Sequence, residues 1–259
     1  MLPISTEPMQ IRTSKIIDSK GDGPWYEALF SDGRNNVGLI CDTPGSVNDD
    51  HYHPDFNEFW IILKGSLEFE IGDFPTIHAH KGDVVLAPAG ERHLIRTIGN
   101  ESSVRLHVSK IGSDHSNRKD RGNPTVPYPT QKEPPNLLHT TLDSVIEQLG
   151  EPQWVTSIIK DSLNTANLVY SAPGTPHDAH WHPEFDEWWT ILKGELTWNL
   201  GEKRPVYQVK EGDIMYLPRG LKHHILTQGS ETSFRLAITD SEGLHVFQEG
   251  DEDAPPPRE

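Results

Sequence analysis

His51-Tyr52-His53-Pro54-Asp55-Phe56-Asn57-Glu58 returns 129 residues later as His180-Trp181-His182-Pro183-Glu184-Phe185-Asp186-Glu187. The same offset pairs Trp25 with Trp154, Gly45 with Gly174, Trp60 with Trp189, Ile62-Leu63-Lys64-Gly65 with Ile191-Leu192-Lys193-Gly194, and Gly72 with Gly201. At an offset of 130, Gly82-Asp83, Pro88, Gly90, His93 and Thr97 match Gly212-Asp213, Pro218, Gly220, His223 and Thr227. The match continues through Ser103, Arg105 and Leu106 against Ser233, Arg235 and Leu236. Self-similarity of this extent is the signature of a duplicated domain. The expected division is 1–112 for the first domain, 113–135 for a Pro- and Asn-rich linker, 136–248 for the second domain, and 249–259 for a disordered acidic and Pro-rich tail.

Short runs such as Ser66 to Ile71 and Thr76 to Lys81, separated by Gly72-Asp73, read as strands joined by tight turns. With 34% apolar residues, 21 Gly and 21 Pro, the composition also favours an all-β fold. Residues i and i+2 of a strand share a face, so His51 projects with His53, and His180 with His182. Glu58 lies five residues past His53 and would face away on a straight strand, so Pro54 to Asn57 must turn the chain to bring it back. The Pro88-Ala89-Gly90 turn then delivers His93. One helix is expected between the barrels, capped by Thr141, striped by Leu142, Val145, Ile146 and Leu149, and ended by Gly150.

These residues resemble the cupin superfamily, specifically its bicupins. The first cupin motif, G-x5-H-x-H-x3,4-E-x6-G, is complete in Gly45, His51, His53, Glu58 and Gly65, and again in Gly174, His180, His182, Glu187 and Gly194. The second, G-x5-P-x-G-x2-H-x3-N, is met in both halves except at its last position, where Thr97 and Thr227 replace asparagine. The resemblance implies two double-stranded β-helix barrels in tandem. It also implies two metal sites, His51, His53, Glu58 and His93 in the first half and His180, His182, Glu187 and His223 in the second.

Three imidazoles and one carboxylate suit a divalent transition ion, and the donor types do not choose among Fe, Mn, Ni, Co, Cu and Zn. Four protein ligands on a six-coordinate ion leave two positions open, and one carboxylate leaves the centre about one charge positive, which favours small oxyanion substrates. By analogy with cupin enzymes the expected function is an Fe(II) oxygenase or dioxygenase acting on a small phenolic, keto or carboxylate substrate. A redox-neutral metal-dependent lyase, isomerase or decarboxylase is the first alternative, and a binding or regulatory module without catalysis the second. No catalytic base is evident beyond the metal ligands. Trp60 and Trp189, two residues past the glutamates, are candidate pocket walls or ordinary core. Arg105 and Arg235 are candidate carboxylate anchors, although a surface or interdomain salt bridge is the favoured reading because Val104, Leu106 and Val108 form the apolar alternation.

The formal charge of −16 opposes binding to nucleic acid and anionic membranes. The single cysteine, Cys41, cannot form an internal disulfide and reads as a small buried residue. No run approaches the roughly 20 apolar residues of a membrane span, and the N-terminus lacks the blocks of a signal peptide, so a cytoplasmic protein is expected, with a homodimer expected only by family analogy. His78 and His80 have no counterparts in the second half and read as surface residues. Lys64 and Lys193, each just before a turn glycine, read as exposed, Asp83 and Asp213 as turn formers, and His177 as part of a loop before the ligands.

Overall fold

The structure, a computed structural model, describes residues 4–113 and 133–247, so most of the expected linker and the whole of the expected tail lie outside the described residues. In chain order the first half contains β1 (Met9–Arg12), α1 (Thr13–Lys20), β2 (Trp25–Ser31), β3 (Asn35–Asp42), β4 (Glu58–Lys64), β5 (Ser66–Ile71), β6 (Ile77–His80), β7 (Val84–Ala87), β8 (His93–Ile98) and β9 (Ser103–Lys110). The second half repeats the series as β10 (His139–Thr140), α2 (Leu142–Leu149), β11 (Trp154–Lys160), β12 (Asn164–Ser171), β13 (Pro176–His180), β14 (Glu187–Lys193), β15 (Glu195–Asn199), β16 (Tyr207–Lys210), β17 (Asp213–Leu217), β18 (His223–Gln228) and β19 (Ser233–Asp240). The all-β tandem expected from the repeat is what the chain forms.

Among the described residues, one compact unit comprises Ile4 and residues 17–113 and 133–148, and the other residues 5–16 and 149–247. The first unit has a six-stranded sheet in the order β10-β7-β4-β9-β3-β2 and a three-stranded sheet β6-β5-β8. The second has the six-stranded order β1-β17-β14-β19-β12-β11 and a four-stranded sheet β13-β18-β15-β16. Each unit is thus a two-sheet sandwich with its core between the sheets. Trp60, Ile62, Val85 and Ala87 of the larger sheet meet Leu67, Phe69, Ile71, Ala79 and Ile95 of the smaller one. The second unit repeats this with Trp189, Ile191, Met215, Leu217 and Ala237 against Leu196, Trp198, Val209 and Ile225. Area burial of such side chains contributes about 1.5–3 kcal/mol each before entropy is counted.

The units do not follow the division at residues 113–135. β1 pairs antiparallel with β17, placing Met9 opposite Tyr216 and Arg12 opposite Asp213 in the second unit. β10 pairs with β7, placing His139 opposite Val85 in the first. Asp83 and Asp213 do more than form turns. Asp213 Oδ2 accepts from the Gln10 side chain at 3.0 Å, and Asp83 Oδ2 lies 2.9 Å from His139 Nε2. Each also accepts a backbone N–H of its own turn, from Lys210 and His80 respectively.

α2 forms where expected, with Thr141 Oγ1 accepting the Ser144 N–H at 3.1 Å. α1 is its unexpected counterpart, and the matching signal was Ile16-Ile17 and Gly21 against Val145-Ile146 and Gly150. The motif glycines Gly65 and Gly194 have φ of 74° and 82°. A Cβ there would stand 2.8 Å from Ser102 O and 2.7 Å from Thr232 O, so two constraints select glycine at each. The motif's departure at Thr97 and Thr227 is accommodated in the core, where their hydroxyls pair with those of Ser103 and Ser233 at 2.7 and 2.9 Å.

Candidate metal centres

The backbone brings the four motif residues of each half together in the manner their spacing requires. His51 and His93 form a two-residue bridge, His93 N–H donating to His51 O at 2.8 Å, and His180 pairs with His223 between β13 and β18. The carbonyl of the second histidine accepts from the glycine of the P-x-G turn, Gly90 to His53 at 2.7 Å and Gly220 to His182 at 2.6 Å. The turn that returns the glutamate is braced by the residue before it. Asn57 Oδ1 accepts from Ala89 N–H at 3.0 Å, and Asp186 Oδ1 accepts from Arg219 N–H at 2.9 Å. Glu58 and Glu187 then open β4 and β14 facing the histidines.

In each unit one nitrogen from each histidine and one glutamate oxygen all lie within 4.8 Å of one another. In the first, Glu58 Oε2 is 3.2 Å from His53 Nε2 and 3.0 Å from His93 Nε2, and His51 Nε2 is 3.2 Å from His93 Nε2. In the second, Glu187 Oε2 is 2.5 Å from His182 Nε2 and 3.5 Å from His223 Nε2. Two donors about 2.1 Å from one ion and at right angles stand about 3 Å apart, so this spacing fits a shared divalent cation.

The ring orientations fit it as well. His51 Nδ1 contacts Asp49 O at 2.8 Å, His93 Nδ1 Glu91 O at 3.3 Å, His180 Nδ1 Asp178 O at 2.7 Å and His223 Nδ1 Leu221 O at 3.1 Å, each two residues back. His182 Nδ1 reaches Leu244 O at 3.3 Å. A carbonyl can only accept, so these Nδ1 atoms carry a proton, which leaves each Nε2 turned to the cluster as the atom an ion would take. His223 Nε2 is buried there with no hydrogen-bond partner, an arrangement that a cation satisfies.

Electrostatics favour the ligating form at His51, His180, His223, Glu58 and Glu187. Burial, and then the charge of neighbouring His93, lowers His51 to about 4, and burial with His180 lowers His223 to about 3. Burial also lowers His180. Burial alone would raise Glu187, but the charge and hydrogen bond of His182, then His223 and His180, outweigh it and hold the carboxyl at about 2. Glu58 is held well below the carboxylate range against the same burial by His107 first, then His53 and His93. Neutral imidazole and ionised carboxylate are what a divalent ion requires.

The two sites differ around this shared set. His107 Nε2 lies 2.7 Å from Glu58 Oε1, whereas Ala237 occupies its counterpart position. All four donors of the second cluster are buried, while His51 of the first is partly exposed. The C-terminal stretch accounts for the difference. Val246 bridges Trp181, and the rings of His245 and Phe247 each lie 5.3 Å from that of His180. His245 was not anticipated, and its signal was the 130-residue offset from His115.

Trp60 and Trp189 are core residues that also contact the donor clusters, meeting the third ligand edge-on at 5.3 Å from His93 and 5.2 Å from His223. Phe56 and Phe185 lie 4.4 Å from His53 and His182, further apolar walls at equivalent places. Arg105 and Arg235 are not surface residues, at 0% and 2% exposure. Both faces of β9 and β19 are buried, so the Val104, Leu106 and Val108 alternation does not mark an inside and an outside. Arg105 donates to Asp42 Oδ2 at 2.7 Å, and Arg235 to Ser171 Oγ at 3.3 Å. His78 and His80 are exposed, Cys41 is buried, and His177 lies on β13 rather than in a loop.

Among the described residues no helix is long and apolar enough to cross a membrane. One curated relative, polyketide synthase CurC from Streptomyces cyaneus, is 31% identical over 77 residues. That match covers 29% of this chain and 49% of the relative, so the chain matches about half the length of that protein. Similar solved structures include a salicylate 1,2-dioxygenase from Pseudaminobacter salicylatoxidans, at 10% identity and a TM-score of 0.72 over 95% of this chain and 90% of that one. Another is the Bacillus subtilis oxalate decarboxylase studied for its Mn(II) centres, at 16% identity and a TM-score of 0.54 over 93% and 74%. At such identities these likenesses speak to the fold alone. The cupin domain model matches residues 38–109 and again 167–239, together more than half of the sequence and spanning both donor clusters, and the chain therefore belongs to the cupin family as a two-domain member.

Proposed function

We propose that each cluster holds one divalent transition metal and that the chain is a metal-dependent oxygenase, with Fe(II) as its working ion and a small anionic phenolic, keto or carboxylate compound as substrate. The observation that carries this reading is the complete donor set in both units, with the Nδ1 of five of the six histidines on a backbone carbonyl and Nε2 turned inward. His51, His53, Glu58 and His93 hold one ion, and His180, His182, Glu187 and His223 the other. The bound ion supplies Lewis acidity and, as iron, redox activity towards dioxygen. The protein orients the donors through their carbonyl contacts and shields them from water with Phe56 and Trp60 in one unit and Phe185 and Trp189 in the other. A dioxygenase and a decarboxylase share the fold, and the family's range of chemistries is why the reaction must be tested directly.

The test is oxygen uptake by Fe(II)-loaded protein on a panel of salicylate, gentisate and small keto acids, repeated without oxygen. Uptake that is substrate-dependent and lost anaerobically is the expected result. Turnover that persists without oxygen would replace this reading by a redox-neutral lyase, isomerase or decarboxylase. Binding without turnover would replace it by a ligand-binding role.

A further inference from the structure

Around one buried arginine kept in both units, Arg105 and Arg235, two positions that correspond through the repeat have changed: Asp42 to Ser171 and Asn48 to His177. In the first unit these residues form a closed set. Arg105 donates to Asp42 at 2.7 Å, and the Asn48 amide, oriented to satisfy both neighbours, accepts from Arg105 and donates to Asp42 at 3.2 Å. In the second unit the carboxylate is gone. Arg235, 2% exposed, keeps one contact of 3.3 Å to a neutral hydroxyl, and His177 Nδ1 is buried without a hydrogen-bond partner. The guanidinium Nε is unpartnered in both units, so the difference lies in the missing acid.

Arg235 is on the interior face of its barrel, two residues before the core residue Ala237 and opposite core Ile191. Its charge acts on His177 and is opposed by that of Glu187. Burial lowers it to about 10, leaving it cationic at neutral pH. Among the described residues no carboxylate lies within ion-pair distance of the guanidinium, and Glu187, whose charge favours the cation from further off, shares that charge with an ion once it ligates one. A buried charge without a partner is costly, and guanidinium is shaped to bind a carboxylate through two N–H groups. At Ala237 the second unit also lacks the imidazole that in the first, as His107, stands 2.7 Å from the metal-ligating glutamate.

We propose that the second unit is the substrate-binding one, and that Arg235, with Ser171 and His177, receives the carboxylate of the ligand in the place that Asp42 fills in the first unit. The first unit supplies internally what the second takes from its ligand. This deepens the function proposed above and rests on it for the metal and the turnover, but anion binding itself is separately measurable.

The test is calorimetric titration of the metal-loaded full chain with salicylate, with the smaller oxalate, and with uncharged salicylamide. At least one of the two carboxylates is expected to bind with one site per chain, and salicylamide at least tenfold more weakly than salicylate if salicylate is the one bound. Ser171→Asp, which restores the internal acid, is expected to weaken carboxylate binding at least tenfold while metal content stays unchanged. Ser171→Asn, similar in size but uncharged, should change it less than threefold. Carboxylate binding equal in wild type and Ser171→Asp, or no binding of either carboxylate at millimolar concentration, overturns the proposal. Loss of oxygen uptake as a function, with these binding differences intact, would overturn the oxygenase reading and leave the anion pocket standing.

Discussion

His223 is buried and held neutral, and its Nε2 makes no hydrogen bond, which gives the metal-free protein a defined pH response. With its folded value lowered to about 3 from an ordinary 6.5, the unfolded chain binds a proton below pH 6.5 that the folded chain refuses until about pH 3. Stability therefore falls as pH drops through that window, by about 1.4 kcal/mol per unit for this residue. His51 and His177, lowered to about 4, act in the same direction. Thermal melts of metal-free protein should move down steadily from pH 7 to pH 5, and melts that do not shift would contradict the neutral-histidine picture. His107 provides a second prediction at this scale. Its contact with Glu58 Oε1 fixes that carboxylate, and loss of such a supporting partner costs about 10- to 100-fold in metal affinity. Competition with a chelator should show His107→Ala weakened at the first centre only, and equal weakening at both centres would argue against the assignment.

At the scale of elements, β1 and β10 dock through side chains that answer each other across the repeat, Gln10 on Asp213 and His139 on Asp83. Asp213 is 2% exposed, and Asp213→Ala would leave two donors, Gln10 Nε2 and the Lys210 N–H, without their acceptor. A loss of about 1–3 kcal/mol in urea unfolding is expected, and an unchanged midpoint would show that the strand pairing alone holds β1. Gly65→Ala and Gly194→Ala should each cost about 2 kcal/mol or more, since the added Cβ meets a backbone oxygen and the φ is positive. Chemical denaturation measures both, and wild-type stability in either variant would contradict the geometry. The barrel strands were legible because glycine turns bound them in both halves. β1 and α1 were not, because four residues carry too little periodicity and α1 shows only a weak apolar face. Their signal was the repeat itself, which runs upstream of Trp25 through Gly21.

For the whole molecule, duplication made the eight donor residues readable before any coordinates, since each spacing was seen twice. It showed where the copies differ, as at Asp42 and Ser171, but not that Asp42 is the partner of a buried arginine. The burial of Arg105 and Arg235 was hidden because both faces of their strands are covered, so an apolar alternation on one face said nothing about the other. Nor could sequence alone place β1 with the second unit, because strand pairing between distant segments leaves no local mark. What duplication does assert is that both centres carry the same four donor types for a metal.

Elemental analysis tests most directly whether each centre holds an ion, on protein made without a histidine tag or chelators and counted as moles of each transition metal per chain. Close to two ions are predicted for the wild type, mostly iron, and close to one for each of the double variants His51→Ala/His53→Ala and His180→Ala/His182→Ala with the barrels still folded. Wild-type protein that holds no stoichiometric metal and takes up none when offered Fe(II), Mn(II) or Zn(II), or double variants with undiminished metal, would contradict the two centres.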